Sequence, residues 1–479
     1  MSKYTSLSQI QADLKLGKTS CVQLVEHYLQ RIEATKHLNA YVEVFAEEVL
    51  AHALILDKKY KAHPESVGKL FGAIVSIKDV ICYEGHEVTA GSKILRGFRS
   101  VFSATAVERI LAEDALIIGR TNCDQFAMGS DNTNSVYGSV LNAADESRVS
   151  GGSSGGAAVS VQADTCLVAL GSDTGGSVRQ PAAWCGVVGF KPTYGRISRH
   201  GLLAYGSSFD QIGIISHAVA DAAKFLEIMA GGDEFDATAS SKSVGNYNEN
   251  LGENKKVYKI AYFDKALNPN GLSKDIYEKT QKTIEILRDL GHTVEAVEFD
   301  LLDYIIPAYY VLTTAEASTN LSRYDGVRFG YRAEGVKTLE ETYKKSRTEG
   351  FSEEVKRRIM LGAFVLSSGY YDAYYSKAQQ VRRLLVDRTA DIFKDFDLIL
   401  MPAAPTSAWK LGEKDSGPVA MYLADIFTVQ ANMVGIPAIS LPIGVDTEGL
   451  PIGLQFMADK WCESDLLAFA YYFQNLSFE

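Results

Sequence analysis

The sequence predicts an α/β fold built on a large, mostly buried sheet. Short apolar runs rich in β-branched residues alternate along the chain with segments of helical periodicity, which is typical of strands and helices packed in layers. The 479 residues suffice for one large domain or for two to three smaller ones. A hydrophobic content of 46% is ordinary for a globular protein.

The elements follow in chain order. Residues 1–65 are predicted to be helical, because Ser20 and Gln23 have the spacing of a capping box and apolar residues then recur on one helical face. Later apolar runs predict buried strands. These runs are FGAIVSIKD, ALIIG, CLVALG, YKIAYF, HTVEAVEF, LILMPAAP and PAISLPIGV.

Two helices between these strands are marked by their end residues. Thr105 and Glu108 have capping-box spacing at the start of TAVERILAED. Ser273 and Gly291 can cap the two ends of SKDIYEKTQKTIEILRDLG. Strands that alternate with helices in this way predict a sheet with helices packed against it.

The predicted domain organisation has two parts. Residues 1–65 form a helical segment that packs on the core, and residues 66–479 form a single domain. Within that domain, residues 300–395 are helix-rich and contain many tyrosines. We expect them to be an insertion that covers one end of the sheet.

Composition excludes several classes of protein. A net charge of −11 and a pI near 5.4 make the chain a poor candidate for binding a nucleic-acid backbone by itself. The six cysteines are scattered without a CxxC pair, which indicates a reduced, intracellular protein without a structural zinc site. No signal-peptide pattern and no apolar run of roughly 18 residues is present. We expect a soluble, cytoplasmic protein.

A glycine-rich segment, VSGGSSGGAAVS, spans residues 149–160. It does not fit a phosphate-binding Walker loop, because no lysine follows the glycines before Lys191. The G-x-S-x-G spacing of a hydrolase nucleophile elbow occurs twice, around Ser153 and Ser154. An elbow also needs a preceding buried strand and a late histidine, whereas AADESRVS is polar and the last histidine is His292.

A second glycine loop follows the predicted strand CLVALG, in the segment GSDTGGSVRQP. Successive backbone N–H groups in such a loop can point into one concavity, which suits the oxyanion formed when a serine attacks an amide carbonyl. The candidate donors are Thr174, Gly175, Gly176 and Ser177. A plain strand-to-helix turn explains the same glycines, so this loop alone leaves both interpretations open.

A serine nucleophile needs a base, and no histidine lies in either glycine loop. Lys78 ends the apolar run GAIVSIK, where burial favours the neutral form of an amine, the only form that accepts a proton. The alternative for Lys78 is a strand-end lysine in an ion pair with Asp79.

The SIKD run, the GGSSGG loop and GSDTGGSVRQPA together resemble the amidase signature family in order and separation, and the resemblance extends to the C-terminal PIGLQFMA. It implies an amidase signature fold with a large mixed central sheet covered by helices on both faces. It also implies a Ser-Ser-Lys triad. In that triad Ser177 is the nucleophile, Ser153, often preceded by a cis peptide, is the proton relay, and Lys78 is the base.

Further segments are similar to the A subunits of amidotransferases that act on glutamyl-tRNA(Gln) or aspartyl-tRNA(Asn). They are GFKPTYGRISRHGLLAYGSSFDQIG, DQFAMGS, EASTNLSRYDGVRFG and EEVKRRIMLG. This resemblance implies hydrolysis of glutamine through an ester on Ser177, with the ammonia used to convert Glu-tRNA(Gln) to Gln-tRNA(Gln). It implies B and C subunits in a heterotrimer, with ATP and magnesium used by the partner subunit and tRNA held mainly there. No cofactor or metal is expected in this chain.

The glutamine-binding residues of these subunits correspond here to Tyr309, Arg358 and Asp425. An arginine can bind the α-carboxylate through two hydrogen bonds, and an aspartate can accept from the α-ammonium. Arg358 and Asp425 are otherwise explained as charges on helix surfaces. One departure is DQFAMGS, where relatives more often read DEFAMGS. If that acid helps to gate ammonia, Gln125 puts the gating in question but not the triad.

Two alternatives stay open from the sequence. A free-standing amidase for a small amide uses the same triad, although the KPTYGRISR region and the Arg358–Asp425 pair favour glutamine. A non-catalytic subunit that only scaffolds its partner is disfavoured, because Lys78, Ser153 and Ser177 are all intact.

Overall fold

The computed structural model describes residues 4–249, 251–252, 256–268, 271–413 and 424–476. The strands within these ranges are short and mostly buried. They are β1 (Tyr41–Val44), β2 (Ile74–Lys78), β3 (Leu116–Thr121), β4 (Leu141–Asn142), β5 (Asp145–Val149), β6 (Val168–Asp173), β7 (Val188–Lys191), β8 (Gln211–Ser216), β9 (Lys259–Phe263), β10 (Thr293–Val297), β11 (Leu398–Pro402), β12 (Ala438–Val445) and β13 (Pro451–Ala458).

Eleven of these strands form one sheet, in the order β1-β3-β2-β6-β8-β7-β12-β13-β11-β9-β10, and β4 and β5 form a separate pair. Strand β2 runs parallel to β3 and β6, and β9 runs parallel to β10 and β11. The other pairings are antiparallel, so the predicted mixed sheet is confirmed. Every residue of β2, β3, β6 and β8 is buried. Because successive side chains point to opposite faces, both faces of the sheet are covered there.

The α-helices of the described ranges are distributed along the whole chain. They are α1 (Leu7–Lys15), α2 (Cys21–Ala34), α3 (Ala46–Ala62), α4 (Thr105–Ala112), α5 (Gly155–Gln162), α6 (Arg179–Cys185), α7 (Val219–Met229), α8 (Lys274–Asp289), α9 (Leu302–Asn320), α10 (Leu339–Gly350), α11 (Glu353–Val365), α12 (Lys377–Ile392), α13 (Val429–Val434) and α14 (Glu463–Gln474). None of the helices in the described part of the chain combines the length and the apolar character needed to cross a membrane.

The N-terminal segment contains three helices and one strand. The Ser20 hydroxyl accepts from the N–H of Gln23 at 3.2 Å, which confirms the predicted cap of α2. The prediction of helices alone over residues 1–65 is wrong for Tyr41–Val44, which pairs antiparallel with β3. A four-residue strand at a sheet edge is too short for its alternation to appear in the sequence. The division at residue 65 stays a prediction, and its ends at residues 1–3 and 477–479 lie outside the described residues.

The predicted helix caps have mixed outcomes. The capping box at Thr105 is wrong, because Ala104 occupies the N-cap of α4 and the Thr105 hydroxyl donates instead to Asp233. Ser273 is the N-cap residue of α8 but makes no capping hydrogen bond through its side chain. Gly291 follows that helix with a φ of +90°, the left-handed conformation expected after a helix end.

The sheet brings the predicted functional segments together. Strands β2 and β6 are parallel neighbours, so their carboxyl ends lie at the same edge. Lys78 ends β2, and Ser177 lies in the loop that follows β6. Ser153 lies immediately before Ser154, the N-cap residue of α5, and α5 packs against both strands.

Candidate active site

Lys78 lies fully buried at the end of β2, with 0% of its surface exposed. Its amine Nζ lies 2.7 Å from Ser153 Oγ, 2.8 Å from Ser154 Oγ and 2.9 Å from Ser172 Oγ. Asp79 pairs with Arg120 at 3.2 Å, so the alternative of a Lys78–Asp79 ion pair is wrong. Burial lowers the pKa of Lys78 to about 8, against the opposing effect of nearby acidic groups. Near neutral pH, part of the population therefore carries a neutral amine at this position.

The first glycine loop places its serines on this amine. The Gly152–Ser153 peptide is cis. Ser154 Oγ donates to the carbonyl of Ser172 at 3.1 Å, so its lone pairs face Lys78 as acceptors. Ser153 Oγ makes a hydrogen bond only to Lys78 among the described residues, and its proton is available for transfer.

A buried carboxylate, that of Asp173, holds the second glycine loop in place. Asp173 accepts from the N–H groups of Gly176 at 2.9 Å and Val178 at 3.1 Å. The Arg179 guanidinium binds the same carboxylate through two nitrogens, at 3.0 and 3.1 Å. Burial alone raises the pKa of Asp173, but the Arg179 charge and hydrogen bonds hold it at about 2. A permanently ionised carboxylate thus fixes the loop that carries Ser177.

These contacts change the set of candidate oxyanion donors. The Gly176 N–H points at Asp173 Oδ1 and has that acceptor already, so including Gly176 in the set is wrong. Thr174, Gly175 and Ser177 remain as candidate donors. Thr174 is held through its hydroxyl, which donates to Asp210 Oδ1 at 2.6 Å. Ser177 keeps 8% of its surface exposed, whereas Lys78 and Ser153 are fully buried.

Tyr309 and Asp425 lie around Gly175. A Cβ on Gly175 would lie only 2.5 Å from the Tyr309 hydroxyl oxygen, so glycine is required for this close approach. The Thr428 hydroxyl donates to the Gly175 carbonyl at 2.7 Å and lies 3.2 Å from the Asp425 carbonyl. Asp425 Oδ2 accepts from the Ser130 hydroxyl at 2.6 Å. Asp425 is 8% exposed, which contradicts a helix-surface acid.

Arg358 lies on α11 and is 3% exposed, so it is not a surface charge either. Its Nη1 donates to the Tyr205 hydroxyl and its Nε to Glu354, each at 2.8 Å. The guanidinium also faces the ring of Tyr310 at 5.3 Å. Burial raises the pKa of Tyr309 well above its ordinary value, and the charges of Asp425 and Arg358 are close enough to contribute. Tyr309 and Asp425 therefore border the second glycine loop, and Arg358 lies close enough to Tyr309 for its charge to act there.

Comparison with known proteins agrees with this geometry. The family model described as Amidase matches residues 23–467. The chain belongs to the amidase family. The A subunit of the glutamyl-tRNA(Gln) amidotransferase of Prosthecochloris aestuarii is 49% identical to this amidase over 99% of both chains, and that of Chlorobium phaeobacteroides is 47% identical over 98% of both. The crystal structure of the corresponding A subunit from Thermotoga maritima is 36% identical, covers 94% of this chain and 92% of its own, and has a TM-score of 0.77.

Sequence reasoning missed several residues of the amidase site. Ser154 and Ser172 contact the Lys78 amine directly, but the doubled serine of GGSSGG does not show which hydroxyls reach it. The Asp173–Arg179 ion pair was not predicted either, although both residues lie inside the segment GSDTGGSVRQP. A charged pair six residues apart, on either side of the glycines, was the available signal for an anchored loop.

Gln125 lies at a structural position in this amidase. Its Oε1 accepts from the N–H of Ser352 at 2.7 Å, and Ser352 is the N-cap residue of α11, which carries Arg358. The residue that departs from the family pattern therefore supports the helix of a predicted substrate residue. Its relation to ammonia passage stays a prediction.

No group of three or more His, Cys, Asp or Glu side chains in the described ranges is arranged to bind a metal ion. The polar groups around Lys78 are hydroxyls and one carbonyl, which suit proton transfer.

Proposed function

We propose that this amidase is the glutaminase subunit of a tRNA-dependent amidotransferase. The names of its full-length relatives support this assignment. The main structural support is the Lys78 amine, which is fully buried and hydrogen-bonded to Ser153 Oγ at 2.7 Å.

In the proposed acylation step, Ser177 Oγ attacks the side-chain amide carbon of glutamine. Its proton passes to Ser153 as the Ser153 proton passes to the neutral Lys78 amine. The N–H groups of Thr174, Gly175 and Ser177 stabilise the negative oxygen. The carbon–nitrogen bond then breaks, the proton returns through Ser153 to the leaving nitrogen, and ammonia departs from a glutamyl ester on Ser177.

In the second step, water attacks this ester while Lys78 accepts its proton through Ser153. The carbon–oxygen bond to Ser177 breaks, the proton returns to Ser177 Oγ, and glutamate is released. The same relay therefore serves both half-reactions, which a single amine with a pKa of about 8 is suited to do.

Substrate recognition rests on two buried charges, Arg358 and Asp425. Arg358 binds the α-carboxylate of glutamine and Asp425 binds its α-ammonium. Tyr309 packs against Gly175 and sets the depth of the pocket. Both charged side chains are buried, so each ionic contact to the substrate is shielded from water and is stronger than on a surface.

The ammonia is used outside this chain. We propose B and C subunits as partners in a heterotrimer, in which the partner subunit uses ATP and magnesium to convert Glu-tRNA(Gln) to Gln-tRNA(Gln). The net charge of −11 favours tRNA binding mainly by the partner. Cytoplasmic localisation belongs to the same proposal.

The test is Ser177→Ala in the co-purified assembly. Ammonia release from glutamine should fall by at least about 10³-fold, because the nucleophile is absent. Amidation of Glu-tRNA(Gln) with added ammonium chloride should persist, because the partner is unchanged. The control is Ser160→Ala on α5, a buried serine whose hydroxyl donates to the Ala157 carbonyl.

Other outcomes point to the alternatives. Native glutamine hydrolysis in Ser177→Ala contradicts the assignment of the nucleophile. A wild-type chain that hydrolyses simple amides but not glutamine is a free-standing amidase, and one that hydrolyses neither is a scaffold.

A further inference from the structure

The proposed substrate site and the proposed proton relay are joined by the loop 129–134, of which residues 129–132 are buried. Ser130 donates from its hydroxyl to Asp425 Oδ2 at 2.6 Å. Its carbonyl accepts from Gln180 Nε2 at 3.0 Å, and Gln180 Oε1 accepts from the N–H of Gly152 at 3.1 Å. Two side chains therefore connect the Asp425 carboxylate to the backbone at Gly152.

Gln180 is suited to this connection by its chemistry. It lies near the start of α6 and has 0% of its surface exposed. A carboxamide donates to a carbonyl through its NH₂ group and accepts from an N–H through its oxygen. In a site closed to water, losing either contact leaves a backbone group unpaired, so the contacts hold the two loops at a fixed distance.

Asp124 holds the other side of the same loop. Its carboxylate accepts from the N–H groups of Asn132 at 3.0 Å and Asn134 at 3.1 Å. Its own N–H donates to the carbonyl of Ser153 at 3.2 Å. A displacement of the loop 129–134 is therefore transmitted to the backbone on both sides of the Gly152–Ser153 peptide.

The alignment of Ser153 is incomplete in this structure. Ser153 Oγ contacts Lys78 Nζ, but of the hydrogen bonds in the described residues none joins Ser153 Oγ to Ser177 Oγ. Catalytic hydrogen bonds are often formed only when substrate is bound. Substrate binding is an event that can complete this contact.

We infer that Gln180 is a positioning residue that couples binding of the substrate's α-ammonium at Asp425 to the alignment of Ser153. This inference rests on the proposed function. An ammonium bound by Asp425 displaces Ser130, and Gln180 transmits the displacement to Gly152. An amide without an α-ammonium makes no such contact and is turned over slowly, even when it is bound.

The experiment compares two substrates in the co-purified assembly: glutamine and 4-carbamoylbutanoate, which is glutamine without its α-ammonium. Gln180→Met should lower kcat for glutamine by about tenfold, as for coupled neighbouring contacts, and change kcat for 4-carbamoylbutanoate by less than about twofold. Ser130→Ala should show the same substrate dependence, with the larger change in KM for glutamine.

The matched control is Gln474→Met. Gln474 makes the same type of connection, accepting from the N–H of Val219 at 2.9 Å and donating to the carbonyl of His217 at 2.7 Å. Its loss should leave the ratio of the two kcat values unchanged. Thermal unfolding and the labelling rate of Ser177 with an alkyl fluorophosphonate, which has no ammonium, report folding and intrinsic reactivity of each variant.

Four results would overturn the inference. Equal losses for both substrates in Gln180→Met mean a structural role only, and unchanged turnover of glutamine means no role. If Gln180→Met does not fold, a Ser130→Ala variant that slows both substrates equally overturns the coupling. A wild-type assembly that does not release ammonia from glutamine instead overturns the proposed function, and the coupling with it.

Discussion

Two lysines of this protein end strands of the central sheet and are fully buried, yet their surroundings differ in kind. Lys78 ends β2 and contacts the hydroxyls of Ser153, Ser154 and Ser172. Lys191 ends β7 and contacts the carbonyls of Pro192 and Ile436 and the side-chain amide oxygen of Gln211. Burial lowers the pKa of both amines, to about 8 for Lys78 and about 7 for Lys191.

The pKa alone does not separate the two amines, but the type of hydrogen-bond partner does. A carbonyl oxygen only accepts, so three carbonyl-type partners use all three N–H donors of an ammonium. A hydroxyl both accepts and donates, so it can satisfy the lone pair of a neutral amine. The shell of Lys78 therefore accommodates both protonation states, and that of Lys191 accommodates one.

Burial by itself therefore does not make a lysine a base. A proton acceptor also needs neighbours that remain satisfied when it gains or loses its proton. Lys78 therefore belongs to the reaction, whereas Lys191 joins β7 to the residue that follows it and to the segment between α13 and β12.

The largest expected effect comes from Lys78→Arg. A guanidinium remains protonated at any usable pH, so the variant keeps the charge but cannot accept a proton. Ammonia release from glutamine should fall by about 10²- to 10⁴-fold, the usual contribution of a general base. The assay uses the co-purified assembly, with unfolding temperature as the control for folding. Full activity excludes Lys78 as the proton acceptor.

Lys191→Met should instead lower stability. It leaves buried carbonyl oxygens without a donor, at a cost of about 1–3 kcal/mol for each. The unfolding temperature should drop clearly, while turnover per folded, fluorophosphonate-reactive Ser177 stays within about threefold of the wild type. A loss of turnover as large as that of Lys78→Arg, at unchanged stability, would remove the distinction between the two lysines.

The sequence predicted the position of Lys78 but not its surroundings. The apolar run before it indicated a buried strand end, and the family resemblance indicated its partner Ser153. GFK before Lys191 has the same character, and nothing local separates it from SIK. The contacts that separate them come from Ser172 in one case and Ile436 in the other, so they depend on strand order in the sheet.

Most elements of the fold were predictable because they depend on local sequence patterns. Long periodic segments such as α8 and apolar runs such as CLVALG, which contains the first part of β6, are visible in a single sequence. The edge strand Tyr41–Val44 and the cap at Ala104 were missed, because each depends on a few residues and on their tertiary neighbours. Likewise, the sequence makes Gly176 a reasonable oxyanion donor, but in the structure its N–H donates to the Asp173 carboxylate.

The pH dependence of kcat/KM for glutamine tests the role of Lys78 as a base, with a smaller expected effect. Only the neutral amine accepts a proton, so lowering the pH through the Lys78 pKa of about 8 removes the active form. The kcat/KM for glutamine should rise about tenfold for each pH unit below this value and level off above it. Rates measured from about pH 6 to about pH 8.5, with unfolding temperature at each pH, check this prediction. A flat profile, or one that falls as the pH rises, contradicts a neutral Lys78 base.

The smallest expected effect is that of Ser172→Ala, which removes one hydroxyl from the shell of Lys78. Ser153 Oγ and Ser154 Oγ still contact the amine, and Ser154 uses its proton on the Ser172 carbonyl, which the variant keeps. One hydrogen bond is therefore lost, and turnover of glutamine should fall by about three- to tenfold.

The control is Ser216→Ala at the end of β8, a buried hydroxyl that donates to the Ala218 carbonyl at 2.8 Å. If both variants lose turnover equally, the hydroxyl shell has no special role. A loss confined to Ser172→Ala shows that the neighbours of Lys78, and not burial alone, adapt this amine to proton transfer.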